Sequence, residues 1–367
     1  MNIKSRLLKR LDAEIAASTA MSSQVACLKV QRALLLVRHG LTEQAHTELA
    51  ALHQLAWLHP HPALGAWLHF ADGLMSYFAD FSSSAHEKIE RAQAIAKSIG
   101  AHQLNALSTA WLAQLAYVRH DLPATLQHAR DCDALAELSD HGARFRLCTV
   151  LALAHHFAAN DELGKLWFTK AREHALAEGD DASLSALIYN MAEVRTTAAR
   201  HRSFSVGHAG EASMLLGVDS IKHYDAAVGG SVRSDLTSIL RAQSLTVEGD
   251  FVQARALFEI YLPMAISAGL AQWGCRLWAD LAWCSVNTGH AEQALKQAQA
   301  AEMELVSPCD VDDRACTHSR LAQIYAALGT AKTAATHAEK ATLEWHKFAI
   351  QQAAWSQALA NADLQPQ

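Results

Sequence analysis

A small residue inside an apolar helical stretch returns at a nearly fixed interval along this chain, and that interval restricts the fold more than any other feature. Ala33, Gly73, Ala113, Ala152, Ala192, Ala242, Ala282 and Ala322 are separated by 40, 40, 39, 40, 50, 40 and 40 residues. Self-similarity with a period of about 20–50 residues is the signature of a stacked-repeat architecture, in which each unit buries its apolar face only against its neighbours. A chain of 367 residues therefore reads as one elongated array rather than as two or three separate domains.

A second series runs in step with the first: Ala45, Ala85, Thr125 and Gly164, then Ala254, Ala294 and Ala334. Four residues after each stand Leu49, Ile89, Ala129, Phe168, Phe258, Ala298 and Ala338, and three further on Leu52, Ala92, Cys132, Ala171, Tyr261, Ala301 and Ala341. Steps of four and three keep one stripe on one side of a helix. Between the two series lie turn residues at Gly40, Asp80, His120-Asp121, Asn160-Asp161, Gly249-Asp250, Gly289 and Gly329, as a helix end followed by a new N-cap requires. Each unit is thus predicted to be a helical hairpin whose small residues let two backbones approach. Only 6 prolines and 17 glycines leave little turn chemistry for sheets, so the predicted class is all-α.

With the hairpins in place, EGDFVQARALFE (248 to 259) and LAQIYAALGTAKTAATHAEKA (321 to 341) resemble tetratricopeptide repeats. Leu321, Ala322, Tyr325, Gly329, Ala334, Ala338 and Ala341 stand in that motif's places, as do Trp278, Leu281, Ala282, Gly289, Ala294, Ala298, Ala301 and Pro308 one repeat earlier. The period of 40 exceeds the usual ~34 by about a turn and a half of helix. Lengthened repeats of this kind are similar to those of MalT-like and Rap-like bacterial regulators. The resemblance implies a right-handed α-solenoid of about eight antiparallel hairpins and a non-catalytic protein- or peptide-binding scaffold or regulatory module.

The expected organisation is an N-terminal capping helix (1–20), repeats one to five (21–199), an irregular segment (200–232), repeats six to eight (233–345), and a C-terminal capping helix with a tail (346–367). The irregular segment holds Gly207, Gly210, Gly217, Gly229 and Gly230 and accounts for the ten surplus residues in the one interval of 50. The second helix of the fifth unit is not apparent there. A distorted hairpin, a hinge and a ligand-contacting loop all fit it.

The formal charge of −6, with 31 basic residues dispersed along the chain, argues against a nucleic-acid partner. Seven cysteines without a C-x-x-C pair suit reduced thiols. Asp12 and Glu14 interrupt any apolar core of a signal peptide, and no stretch reaches ~18 uncharged apolar residues, so a soluble cytoplasmic protein without a membrane partner is expected. The 21 histidines form no H-E-x-x-H set, Asp310, Asp312 and Asp313 sit where a helix start needs carboxylates, and there is no P-loop or G-x-S-x-G. No catalytic residue, metal or cofactor is expected; self-association is left open.

Helical arrays bind along the concave surface formed by the first helix of each hairpin. The register places Arg146, His156, Asn190, Glu193, Gln243, Arg276, Asp280, Trp283, Asn287, Arg320 and Gln323 there, with Trp67, Phe70, Tyr77 and Phe78 forming an aromatic end. Amides can satisfy an extended backbone and arginines can hold a carboxylate, so the expected partner is a protein or peptide. The competing reading is an all-α enzyme or small-ligand-binding protein with its site near the irregular fifth repeat.

Overall fold

Among the residues described by the computed structural model, 3–18, 22–80, 84–205, 215–229, 234–267, 270–305 and 309–366, every regular element is helical. In chain order the α-helices are α1 (Arg6–Ala16), α2 (Ser23–Arg38), α3 (Thr42–Leu58), α4 (Pro62–Asp80), α5 (Ser84–Ser98) and α6 (His102–Val118). Then come α7 (Leu122–Leu135), α8 (His141–Phe157), α9 (Asp161–Glu178), α10 (Asp181–Ser205), α11 (Leu215–Val228) and α12 (Ser234–Glu248). The last are α13 (Phe251–Ser267), α14 (Gly274–Asn287), α15 (Ala291–Glu304), α16 (Val311–Ala327) and α17 (Ala331–Ala360). None of them is long and apolar enough to cross a membrane.

Consecutive helices pack in pairs: α2 with α3, α4 with α5, α6 with α7, α8 with α9, α12 with α13, and α14 with α15. First helices also meet one another, α2 with α4, α6 with α8, and α14 with α16. The small residues lie where the pairs close. Ala33, Ala113, Ala152, Ala242 and Ala282 are fully buried on the first helices, and Ala45, Ala85, Thr125, Ala254 and Ala294 on the second. A Cβ at Gly73 would come within 2.6 Å of Ile89 Cγ1, so that contact requires glycine. The turns repeat one backbone conformation: Gly40, Gly249, Gly289 and Gly329 have positive φ, and so do His120 (φ 53°) and Ala159 (φ 57°) at the equivalent corners.

The chain divides into two compact units. Unit one comprises Met1–Ile188, His223–Val232 and Trp355–Gln367; unit two comprises Tyr189–Lys222 and Arg233–Ala354. In unit one, α1 is fastened by Leu7 N to Gly179 O (3.0 Å) and by Lys4 N to Val228 O (2.8 Å), and it buries Leu11 against Leu35 and Ala182. Arg38 at the end of α2 donates to Asp180 Oδ2 (2.7 Å) and Ser183 Oγ (2.7 Å) at the start of α10. The end of α17 also belongs to this unit. Trp355, 1% exposed, packs edge-on to Tyr117 (5.7 Å between ring centres) and Phe157 (5.4 Å), and Arg130 Nε donates to Ala362 O (3.2 Å). Unit two closes around Ala279, Ala282, Ala298, Ala301, Leu321, Ile324, Tyr325 and Ala334.

Three expectations change. No separate capping helix begins at 346, because α17 runs unbroken from Ala331 to Ala360; those thirty residues contain neither glycine nor proline to stop it. The segment 200–232 is helical over most of its described part, with α10 extending to Ser205 and α11 filling 215–228; Gly207, Gly210 and Gly230 lie outside the described residues, as does Pro308. Within α11, Gly217 sits where a Cβ would be 3.5 Å from Ala192 Cβ, so it supplies the small residue that the fifth unit lacked in the second series. Finally, Ala338 is exposed and its neighbour His337 is buried in its stead, stacked on Tyr325 with ring centres 5.5 Å apart.

Candidate functional site

The register that generates the hairpins also places chemistry. Counting from five of the eight small residues of the first series, the next position holds Gln114, Glu193, Gln243, Trp283 and Gln323; after Ala33, Gly73 and Ala152 it is leucine. Six residues before a small residue stand Arg146 and Arg276, and two before it Asn190, Asp280 and Arg320. One helix face thus carries amides, guanidinium groups and a carboxylate at repeated heights.

In unit two these groups meet. Arg200, on α10 and 1% exposed, donates from Nη2 to Asp280 Oδ2 on α14. Arg320 on α16 brings its Nε to 3.6 Å from the other carboxylate oxygen of Asp280 and donates from Nη1 to Gln323 Oε1 (2.8 Å). Its guanidinium carbon lies 4.8 Å from the ring centre of Phe204 and 5.2 Å from that of Trp283. Arg276 donates from Nη1 to Asp313 Oδ1 (2.8 Å). Burial raises the Asp313 carboxyl to about 7; Arg276 opposes that rise, and Asp312 and Asp310 add to it. Burial lowers the basicity of Arg276, and the attraction of Asp313 and Glu193 reverses this into a net rise.

Not all donors are spent. Among the described residues, Nε of Arg200 and Arg276 and Nε2 of Gln243 are enclosed without a hydrogen-bond partner, and Nε of Arg320 has only its 3.6 Å approach to Asp280. His201, beside Arg200, has its Nε2 3.8 Å from Asp312 Oδ2 and lies edge-on to Trp345 (5.2 Å) and Phe348 (5.4 Å). Burial, then the positive charges of Arg200, Arg276 and Arg202, push its pKa down to about 3, so this imidazole is neutral.

The other expected residues disperse. Asn190 is half-buried, as is Glu193, whose carboxylate accepts from Thr197 Oγ1 (3.0 Å). Asn287 is exposed and donates to Trp283 O in its own helix (2.8 Å). His156 on α8 lies against the start of α9. Its Nδ1 is 2.8 Å from Asp161 Oδ1, and its ring lies where a Cβ on Gly164 would touch it at 2.6 Å. Arg146 belongs to unit one, over the Trp111 ring.

Sequence reasoning missed Arg200, Asp313 and Gln114. Gln114 could have been found, since it follows Ala113 as Gln243 follows Ala242 and Gln323 follows Ala322. Asp313 looked like a helix-capping carboxylate but is 2% exposed and faces Arg276. Arg200 lies in the irregular unit, where the period of 40 gives no register. Among the described residues no group of His, Cys, Asp and Glu is placed to hold a metal ion. Models of known protein families give no match to this chain, and no curated protein matches it either.

Proposed function

We propose that this chain is a helical-repeat binding protein of the tetratricopeptide kind, a right-handed solenoid of about eight hairpins that receives a protein or peptide segment on the polar faces of its first helices and carries no reaction of its own. The observation that carries the reading is the pair of donors in unit two left without a hydrogen bond among the described residues, Gln243 Nε2 on α12 and Arg276 Nε on α14. A buried donor without an acceptor is costly, and an extended peptide supplies acceptors at regular intervals along its main chain. The half-buried Trp283 beside Arg320 adds an aromatic anchor of the sort that dominates interface energetics.

The arginines do not make clean probes of this, because each also holds a buried carboxylate of the fold. Gln243 does, since its Nε2 is enclosed and unpaired. The full chain is screened against a random peptide library and a retained peptide is titrated by fluorescence anisotropy. Replacing Gln243 by leucine is expected to weaken binding about tenfold, one good hydrogen bond's worth, with little change in melting temperature. Retention of no peptide, or equal binding by the variant, overturns the reading.

A further inference from the structure

Arg146 of unit one is a half-buried cation that forms no ion pair among the described residues. Its guanidinium carbon lies 3.8 Å from the centre of the Trp111 ring, so one face of the planar group is taken by the indole and hydrogen bonding is left to its edge. On that edge the described residues provide one long contact, Nη1 to Gln114 Oε1 at 3.4 Å, while Nε is enclosed and makes no hydrogen bond. Asp180, the carboxylate whose charge acts on it, is engaged by Arg38 and Ser183. Tyr77 stands against Trp111 (5.5 Å) and burial raises its phenol pKa, so it brings no negative charge. Burial lowers Arg146 to about 10, which leaves it a cation at neutral pH. Elsewhere on this register, at Arg276, the same arginine position has a carboxylate at 2.8 Å.

We propose that Arg146 is the receiving group of a binding site in unit one for a single carboxylate carried on an apolar body, with Trp111, Tyr77 and Phe78 as its walls and the Gln114 amide beside it. Phe78 lies 5.8 Å and Tyr77 5.5 Å from Trp111, and the Phe145 ring centre is 5.6 Å from the guanidinium carbon, so the cation is set in an aromatic cluster. One uncompensated guanidinium matches one negative charge, and its edge offers the paired donors a planar carboxylate accepts. A phosphate dianion would leave a charge over in an aromatic surrounding, which is unfavourable. Arg146 as a residue is half-buried, with its Nε enclosed and the rest of the side chain partly exposed. This inference does not depend on peptide binding in unit two.

The test uses the full chain and isothermal titration calorimetry at constant ionic strength, with phenylacetate, its neutral amide phenylacetamide, inorganic phosphate, and an apolar tripeptide with a free or an amidated C-terminus. Phenylacetate or the free-ended tripeptide is expected to bind saturably and raise the melting temperature, and the amides are not; which of the two binds tells a small acid from a peptide terminus. Gln114→Glu places a carboxylate beside Arg146 from within the fold. That variant is expected to melt higher than the parent without ligand and to lose at least tenfold in affinity, and Arg146→Lys is expected to lose about tenfold while still folding. Absence of saturable binding by both carboxylates, equal binding of phosphate, or unchanged affinity in both variants overturns the proposal.

Discussion

Asp280 illustrates how a single side chain in this protein serves two arginines. Its carboxylate faces Arg200 on one oxygen and Arg320 on the other, and all three residues are at most 5% exposed. Breaking a buried ion pair by deleting one partner leaves an uncompensated charge and typically costs about 3–5 kcal/mol. Asp280→Ala is therefore expected to destabilise unit two by about that amount, read from the urea midpoint; a loss under about 1 kcal/mol would mean that water already solvates the cluster. His201 gives a pH test. Its folded pKa of about 3 lies below the ordinary histidine value of about 6.5, so between these the unfolded chain holds more protons and stability falls as the solution is acidified. The slope in mid-window is at most about 1.4 kcal/mol per pH unit for this one group, and His201→Gln should remove it. An identical pH profile for the variant would show that other groups govern the acid limb. At this scale the sequence revealed where Arg276, Asp280 and Arg320 stand but not that they are buried and paired. Periodicity fixes the face of a helix, whereas pairing depends on which other chain segment covers that face.

A hairpin of this protein depends on its closest backbone approach, and the sequence spoke most clearly there. Ala294 is fully buried on α15, which packs on α14, so Ala294→Leu should overpack the contact and cost about 1–3 kcal/mol, whereas Glu292→Gln, on an exposed side chain of the same helix, should do little. Equal thermal shifts for the two would contradict the register. The corners make the opposite prediction. Ala159 holds φ 57° where four equivalent turns use glycine, and a left-handed backbone costs an L-residue about 1–2 kcal/mol. Ala159→Gly is expected to stabilise by up to about 1 kcal/mol, since glycine's larger unfolded-state entropy offsets part of the relief. A lower denaturation midpoint for the variant would refute it. Helix positions were legible because period and turn chemistry agree. The length of α17 was misjudged because solenoid ends were expected to start afresh, while nothing between Ala331 and Ala360 breaks a helix. The second helix of the fifth unit was not apparent because Gly217 looks like a breaker in isolation; beside Ala192 it is a contact residue.

At the scale of the whole molecule, unit one is assembled from three stretches of chain that are far apart in sequence, and this departs from nearest-neighbour stacking. Trp355 lies in the final stretch, more than 190 residues beyond Phe157, yet it is 1% exposed among Tyr117, His120 and Phe157. Arg130 reaches Ala362 O from the same side, and α1 is pinned at the other end of the sequence to Gly179 and Asp181. In an ideal array, terminal residues contribute only to the last repeat and can be trimmed at little cost to the first. Here the C-terminal stretch completes the core of the N-terminal unit, so its loss should be felt where α6 and α8 pack. Removing a buried tryptophan side chain costs about 3–5 kcal/mol. Trp355→Ala is accordingly expected to lower the urea midpoint and to increase amide hydrogen exchange in α6 and α8, with α14 and α15 changing less. Exchange that rises only within α17 itself would mean that the C-terminal stretch is an appended cap and that unit one is complete without it.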